Sequence, residues 1–236
     1  MSQAEGRSRG KGSGRGRRRR GQRAHGAEGG HNIKLSKSLS YLLRHGAAKM
    51  GFQLDPGGFL YVDEVLKHPQ FKRYTADDVR QVVADNDKKR FALQEEEGTG
   101  RLQIRANQGH TLEVEELDLT PITDPAEAPT VVHGTFLSCW DKIRTQGLSR
   151  MRRNHIHFAP GEPGEDGVIS GMRRTCQVLV FIDMEAAMRD GLQFFRSANN
   201  VILSPGNEEG LIPPKYFQQV LQARPRRVLP LDLPSS

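Results

Sequence analysis

The sequence predicts an α+β protein with a mainly helical N-terminal half and a C-terminal half built on antiparallel sheet. Between residues 35 and 83, apolar side chains recur at the spacing of buried helix faces. Beyond residue 130 they fall instead in short runs bounded by turn residues, which is typical of strands. Between the two halves, Pro121, Pro125 and Pro129 stand among small and acidic residues, as in a connector.

The first helix is predicted by a stripe of leucines. Four of them are spaced so that they share one helix face, namely Leu35, Leu39, Leu42 and Leu43. Gly46 is the predicted end of this helix, because glycine commonly follows the last helical turn. Arg44 and His45 therefore fall in the predicted last turn.

Two shorter helices and a hairpin complete the N-terminal half. Asp63 is the predicted N-cap of the second helix and Thr75 that of the third, because both side chains can accept a hydrogen bond from the first turn. Residues 90–93 and 102–105 are predicted as two strands joined by a polar, glycine-containing loop. Three helices followed by a hairpin is the order of a winged-helix module.

The C-terminal half is predicted to consist of short strands with brief helices between them. Ser138 is the predicted N-cap of one helix, and Gly147 is its predicted end. Strands are predicted at 131–133, 156–158, 177–183 and 201–203. The whole chain then divides into a tail at 1–30, a winged-helix-like lobe at 31–118, a linker at 119–130, a second lobe at 131–225 and a tail at 226–236.

The net charge of +7 comes from the first 30 residues. They hold nine of the 35 basic residues and two of the 28 acidic ones, so the rest of the chain has 26 of each. This segment also has nine glycines and few apolar residues, which predicts disorder. It could contact RNA phosphates, direct nuclear import through Arg17–Arg20, or only increase solubility. If it contacts RNA, its deletion should weaken RNA affinity modestly and flatten the salt dependence.

Several classes of protein are excluded by composition. No apolar run approaches the roughly 18 to 20 residues of a membrane-spanning helix. Two cysteines, Cys139 and Cys176, provide neither a disulfide framework nor a four-cysteine zinc site, so we expect an intracellular protein of the cytoplasm, the nucleus or both. The sequence also lacks a phosphate-binding loop with its lysine, a dinucleotide glycine fingerprint and a His-Glu-x-x-His metal motif.

Basic residues beside apolar elements are the remaining candidates for chemistry. Arg44 and His45 could bind a phosphate and transfer a proton, or could simply interact favourably with a helix C-terminus. His155 and His157 alternate along a strand, so they could bind a metal, contact a substrate or be structural. Taken singly, Arg90 and Arg153 could be ordinary surface or ion-paired arginines.

Seven segments together resemble the RNA 2′-phosphotransferase family, which removes the 2′-phosphate left at the junction of a spliced tRNA. The resemblance spans about residues 33 to 221 and rests on these segments in order: Leu35-Ser36-Lys37-Ser38-Leu39-Ser40-Tyr41-Leu42-Leu43-Arg44-His45-Gly46, Asp55-Pro56-Gly57-Gly58-Phe59, Lys89-Arg90-Phe91, Gln108-Gly109-His110, His133-Gly134-Thr135, Met151-Arg152-Arg153-Asn154-His155-Ile156-His157 and Ser197-Ala198-Asn199-Asn200-Val201-Ile202-Leu203.

The resemblance implies a winged-helix lobe followed by an NAD-binding lobe related to ADP-ribosyltransferases. It also implies NAD as co-substrate and no metal. In such enzymes the RNA 2′-phosphate displaces nicotinamide from NAD, and the 2″-hydroxyl of the attached ADP-ribose then attacks the phosphorus. The products are RNA with a 2′-hydroxyl, ADP-ribose 1″,2″-cyclic phosphate and nicotinamide.

The resemblance also assigns roles to residues. The catalytic set of the family maps onto Arg44, His45, Arg90 and Arg153, and the NAD contacts map onto His133, Gly134, Thr135, His155 and Ser197. His45 would contact the phosphate or protonate the departing RNA oxygen. The sequence departs from the family at Phe158-Ala159 and at Asn200. The family often has glycine at the position of Asn200, and asparagine also tolerates the left-handed conformation that glycine takes readily.

The implied partner is tRNA or another RNA with an internal 2′-phosphate, with no membrane involved and a monomer favoured. Two other functions fit parts of the pattern. One is a mono-ADP-ribosyltransferase that acts on nucleic-acid terminal phosphates or on protein. The other is a non-catalytic winged-helix RNA-binding module, which would give Arg90 and Arg153 no reason to converge.

Overall fold

The computed structural model describes residues 32–112, 114, 118–165, 168 and 171–231. The predicted tail at 1–30 lies outside these residues. Helices and antiparallel sheets are both present, so the predicted α+β class is confirmed. In the described part of the chain, no helix is both long and apolar enough to cross a membrane.

The first helix, α1, covers residues 32–41 and continues as a π-helical turn at Leu42–Gly46 and a 3-10 turn at Ala48–Met50. The prediction that Gly46 ends the helix is therefore wrong. Gly46 packs against the ring of Tyr41, where a side chain would collide. The left-handed residue that ends the helical run is Gly51, with a φ of 78°. The four leucines of the predicted stripe are all buried, as expected.

Two further helices are α2, Val62–Lys67, and α3, Ala76–Ala84. The N-cap of α3 is Thr75, as predicted, and it forms a capping box with Asp78. The predicted cap at Asp63 is wrong, because Tyr61 occupies the N-cap position of α2. Asp63 lies in the first turn, where its carboxylate is 2.8 Å from a guanidinium nitrogen of Arg101.

The sheet of the N-terminal half has three antiparallel strands, β1 (Leu60–Tyr61), β2 (Phe91–Glu95) and β3 (Leu102–Ala106). Strand β3 is central, and β2 pairs with it as the predicted hairpin. The leucines of α1 pack with side chains of α2, α3, β2 and β3 in one hydrophobic core.

The C-terminal half contains two four-stranded antiparallel sheets and a two-stranded one. The first has the order β4-β9-β10-β7, the second β13-β12-β8-β5, and the third pairs β11 with β6. Side chains from both larger sheets meet in one core, together with Trp140. The strands are β4 Leu119–Ile122, β5 Val132–Thr135, β6 Leu148–Ser149, β7 Ile156–Phe158, β8 Val178–Ile182, β9 Phe194–Ser197, β10 Ile202–Ser204, β11 Leu211–Ile212, β12 Phe217–Gln222 and β13 Arg227–Val228.

Two segments predicted as connector or tail contain regular structure. Residues 119–130 include β4, which pairs with β9, and a 3-10 turn at Pro125–Glu127. Pro121 is compatible with β4 because β4 is an edge strand, where one side of the ladder needs no N–H donor. The described part of 226–236 includes β13, the edge strand beside β12. Edge strands therefore lie where the sequence indicates irregular chain.

Two helices lie in the C-terminal half: α4, Leu137–Gln146, and α5, Met184–Arg189. The predicted cap at Ser138 is wrong, because α4 begins one residue earlier and Phe136 holds the N-cap position without a side-chain hydrogen bond. Gly147 follows the helix with a φ of 89°, as predicted.

Hydrogen bonds join the two halves at two places. At the first, the Asn154 N–H donates to the carbonyl of His110 at 3.2 Å. At the second, the Asn199 amide donates to the carbonyl of Lys88 at 2.9 Å, and Lys88 Nζ donates to the carbonyl of Met172 at 3.3 Å. These contacts fix the loops that follow β3 and precede β2 against the C-terminal half.

Candidate active site

Three positively charged side chains from separate segments of the chain converge. Arg44 lies in the π-helical turn, Arg90 directly before β2, and Arg153 in the turn before β7. The positive charges of Arg90 and Arg153 both lower the pKa of Arg44. The structure thus brings these predicted residues from both halves into one electrostatic cluster.

Arg44 is the most constrained member of this cluster. Its Nε and Nη2 atoms are buried, and neither has a hydrogen-bond partner in the described structure. Burial, followed by the charges of Arg90 and Arg153, lowers its pKa to about 10. Unsatisfied buried donors cost about 1–3 kcal/mol. Because the side chain still ionises well above neutral pH, it offers two free N–H donors and a positive charge to an anion.

His45 is held by a residue far along the chain. Its Nδ1 lies 3.1 Å from Oγ1 of Thr111, and this hydroxyl lies 3.3 Å from the carbonyl oxygen of Arg44. A carbonyl only accepts, so the hydroxyl donates to it and accepts from the Nδ1–H of His45. This assigns the neutral tautomer with a lone pair on Nε2. Burial, then the charges of Arg44 and Arg153, lowers the pKa of His45, which favours the neutral ring.

Arg90 is positioned by the tight turn that precedes β2. Its Nη1 donates to Oδ1 of Asn86 at 3.4 Å. Lys89 has a φ of 42°, and the amide of Asn107 donates to its carbonyl at 2.7 Å. The Asn107 N–H donates to the carbonyl of Arg90 at 2.9 Å. Asn107 thus holds two successive carbonyl groups of this turn, those of Lys89 and Arg90.

Arg153 lines a cleft of about 770 Å³ in the C-terminal half. Partial burial and the charge of Arg173 lower its pKa, although its side chain remains exposed to the cleft. Among the described residues, the cleft lining contains four cationic side chains and no carboxylate. The cations are Lys142, Arg150, Arg152 and Arg153. The cleft therefore favours a negatively charged occupant.

Three histidines line the same cleft, and burial lowers the pKa of each. His133 Nδ1 lies 2.9 Å from the carbonyl oxygen of His157, so this nitrogen carries the proton and Nε2 is an acceptor. His157 Nε2 contacts Oε1 of Gln108 at 3.1 Å, and its pKa is lowered to about 3. His155 packs edge-on against Phe195. His155 and His157 face the same cleft, as their alternation predicts.

Gly134 and Thr135 are the last two residues of β5 and directly follow His133. Thr135 is buried and lines the cleft. A Cβ at Gly134 would lie 2.9 Å from Cβ of Met172 and 3.0 Å from Sγ of Cys176. A glycine is therefore required here because the segment at 172–176 packs closely over the strand.

Ser197 is not among the described residues that line the cleft. It is buried, and its hydroxyl donates to Oδ1 of Asn199 at 2.8 Å. Asn199 is the residue that binds the carbonyl of Lys88, two positions before Arg90. The next residue, Asn200, has a φ of 60°, which confirms that asparagine takes the left-handed conformation. Ser197 therefore lies in position to orient a contact between the halves of the chain.

The loop after β3 contributes residues to which sequence reasoning gave no role. Gly109 has a φ of 87°, and a Cβ there would lie 3.6 Å from both Arg44 Nε and His157 Nε2. His110 is buried with neither ring nitrogen hydrogen-bonded in the described structure. The available signal was a Gln-Gly-His-Thr run directly after a strand. Its partners lie about 45 to 65 residues away in the chain, so spacing alone does not reveal them.

Within the described residues, no group of three or more His, Cys, Asp or Glu side chains is arranged to hold a metal ion.

We expect acid to destabilise the fold through its buried histidines. Burial lowers the pKa of His110 to about 4 and that of His157 to about 3. Unfolded histidines titrate near 6.5, so between about pH 6.5 and 4 the unfolded state binds more protons and the free energy of unfolding falls with falling pH. Each such histidine contributes up to about 1.4 kcal/mol per pH unit.

Urea unfolding of the wild type and of His110→Gln at pH 7.5 to 4.5 measures how the free energy of unfolding depends on pH. The variant should show a shallower slope, and an identical slope would contradict the expectation.

Comparisons with known proteins identify the family of this chain. Residues 30–206 match the family described as RNA 2′-phosphotransferase, Tpt1 / KptA family. The chain is 51% identical over 218 residues to tRNA 2′-phosphotransferase 1 of Danio rerio, covering 91% of this chain and 96% of that protein. It is 51% identical over 216 residues to tRNA 2′-phosphotransferase 1 of Homo sapiens, covering 91% and 85%. It is 39% identical over 198 residues to tRNA 2′-phosphotransferase of Saccharomyces cerevisiae, covering 80% and 84%. The chain therefore belongs to the RNA 2′-phosphotransferase family.

Proposed function

We propose that this protein removes the 2′-phosphate from tRNA by transferring it to the ADP-ribose portion of NAD. It is a transferase, as its family membership indicates. The observation that carries the proposal is the pair of buried Arg44 donors, Nε and Nη2, that have no partner among the described residues; the charge of Arg44 interacts with those of Arg90 and Arg153 beside a cationic cleft. Buried donors without partners among the described residues, next to like charges, are costly to a fold, so their presence points to an anionic substrate.

The three arginines supply the electrostatic part of catalysis. When a phosphodiester is attacked, negative charge grows on its oxygens, and fixed guanidinium groups stabilise that charge. Loss of one preorganised donor typically costs about 2.7–4 kcal/mol of transition-state stabilisation. Because Nε and Nη2 of Arg44 are buried and Arg90 is held by its Asn86 contact, neither side chain has to reorganise far during the reaction.

The cleft that Arg153 lines has the size and chemistry for NAD. Its volume of about 770 Å³ lies in the range of small-molecule sites, and its cations suit a pyrophosphate. When bound, NAD supplies the ADP-ribosyl group that accepts the phosphate, together with the nicotinamide leaving group. His133, Thr135 and His155 line this cleft, and Gly134 allows the close packing behind it. Ser197 belongs to the turn that supports Arg90, so we propose an indirect role for it.

His45 is placed to move a proton. Its Nδ1–H is directed to Thr111, so Nε2 can accept a proton from an attacking hydroxyl and return it to the departing RNA oxygen. The low pKa of the ring keeps this nitrogen free at neutral pH. A direct phosphate contact by the protonated ring is the alternative role.

We also propose that residues 32–112 form a winged-helix lobe and that residues 131–225 form an NAD-binding lobe of the ADP-ribosyltransferase type. The helix and hairpin order of the first and the two antiparallel sheets of the second support this assignment.

Substitution of Thr111 by valine is expected to slow phosphate transfer without unfolding the protein. Valine has a similar shape but cannot hold the Nδ1–H of His45, so the productive tautomer is no longer selected. The expected fall in kcat is at most about 10²-fold, which is the smallest contribution typical of a positioned acid–base group. Thr111→Ser keeps the hydroxyl and serves as control. The pH–rate profile should change in the valine variant only, and equal rates in both variants would contradict the assignment.

The function itself is tested with a short RNA that carries one internal 2′-phosphate. The purified protein is incubated with this RNA, with and without NAD and without added metal, and the products are resolved by mass. NAD-dependent formation of 2′-hydroxyl RNA, nicotinamide and ADP-ribose 1″,2″-cyclic phosphate is the expected result. An ADP-ribose adduct alone would instead indicate a mono-ADP-ribosyltransferase, and binding without any product would indicate an RNA-binding module.

A further inference from the structure

A second groove, of about 860 Å³, reaches the arginine cluster at Arg90. It lies between one face of α1 and the turn at residues 85–90, and Arg90 forms part of its lining. Among the described lining residues, the two sites share none, since Arg153 lines only the first and Arg90 only the second. Arg44 interacts with both of these charges. A phosphate bound at Arg44 is thus approached from two separate grooves.

The second groove is polar and has an excess of positive charge. Its described lining holds four cationic and two acidic side chains, namely Lys37, Lys88, Arg90 and Arg174 against Asp85 and Asp87. Partial burial and then the charges of Arg90 and Arg174 lower the pKa of Lys88. The three side chains therefore lie near one another. Serines of α1 add hydroxyl groups along the same wall. This composition suits a chain of phosphates and sugars.

Aromatic side chains are missing from the described lining of this groove, so stacking on bases contributes little there. Recognition would rest on the backbone of a nucleic acid and would tolerate many sequences. The groove also lies where the basic N-terminal segment joins the fold, since Asn32 is part of its lining. Residues 1–30, which precede Asn32 in the sequence, carry nine arginines and lysines, a charge that would also favour a nucleic acid.

We propose that this groove binds the RNA strand that flanks the 2′-phosphate, through its sugar–phosphate backbone. The proposal rests on the proposed function, which gives the first cleft to NAD and leaves the second for the RNA. It assigns Lys37 and Arg174 as residues that determine affinity for the flanking nucleotides. Both side chains are exposed, so they are not needed for the hydrophobic core.

The test compares two substrates with the same 2′-phosphate, a dinucleotide and a 12-mer RNA. Lys37→Gln and Arg174→Gln are combined in one variant, and Lys49→Gln combined with Lys72→Gln, at exposed positions outside both grooves, is the charge-matched control. Binding of each RNA is measured by fluorescence anisotropy across a range of salt concentrations, and KM is measured for both substrates and for NAD.

The double variant should bind the 12-mer about tenfold or more weakly, with a salt slope lower by about 0.7 for each lost phosphate contact. Its affinity for the dinucleotide and its KM for NAD should not change. Asp87→Asn provides a variant of opposite sign, because removal of a carboxylate from the groove should tighten binding of the 12-mer. A tighter complex cannot result from unfolding.

Wild-type affinity and salt slope for the 12-mer in the double variant would overturn the proposal. An equal loss for the dinucleotide would also overturn it, because the residues would then act on the phosphate site. Failure of the wild type to convert either RNA would instead contradict the proposed function. The anisotropy data would still decide whether the groove binds the flanking strand.

Discussion

Replacement of Arg44 by methionine is expected to abolish phosphate transfer and at the same time to raise the free energy of unfolding. The wild-type side chain is largely buried, the positive charges of Arg90 and Arg153 act on it, and its buried Nε and Nη2 lack partners in the described structure. Methionine fills a similar volume without charge. Replacement of a poorly compensated buried charge by an apolar side chain often stabilises a fold by about 1–4 kcal/mol. The same change removes a donor worth about 10² to 10³ in kcat.

Two measurements check this prediction. Urea unfolding gives the change in stability, and turnover of a 2′-phosphorylated RNA with NAD gives the change in activity. Arg44→Lys is the control, because it keeps the charge but loses the planar fork, so it should lose activity without gaining stability. A fall in the unfolding free energy of Arg44→Met would show that the guanidinium is satisfied in the free protein, contrary to the arrangement described above.

The fold was predictable where a local signal decides the structure. Thr75 and Asp78 form a capping box within one turn, and the hairpin of β2 and β3 follows from two short runs around a glycine loop. The prediction at Gly46 was wrong because the helical run continues past it and ends at Gly51, which has the left-handed conformation. The spacing of apolar residues does not show which glycine ends the run.

The candidate site was predictable as a set of residue types and less so as a set of contacts. Arg44 and His45 are adjacent in sequence, whereas Arg90 and Arg153 come from distant segments and were identified by resemblance. The partner of His45 is Thr111, 66 residues away, and only the packing of the loop after β3 brings them together. Ser197 was expected at the cleft, but its buried hydroxyl supports Asn199 instead. Tertiary packing decides these roles.

Replacement of Arg153 by alanine is expected to stop the reaction after its first step. The attack of the RNA phosphate on NAD moves charge away from the phosphate, whereas the attack on phosphorus in the second step concentrates charge on its oxygens. Arg153 lines the cleft that we propose for NAD and its charge acts on Arg44, so in the proposed arrangement it lies where the two substrates would meet. Its loss should slow the second step by about 10² to 10³-fold. RNA that carries ADP-ribose on its 2′-phosphate should therefore accumulate.

Mass analysis of a single turnover separates this outcome from a simple loss of binding. Arg152→Ala is the matched comparison, because Arg152 is its exposed neighbour and lines the same cleft. It should raise the KM for NAD without accumulation of the adduct, since its charge has no described effect on Arg44. Arg153→Lys should lie between the wild type and alanine, because a point charge replaces a two-pronged donor. Unreacted RNA in Arg153→Ala would place Arg153 in the first step or in substrate binding.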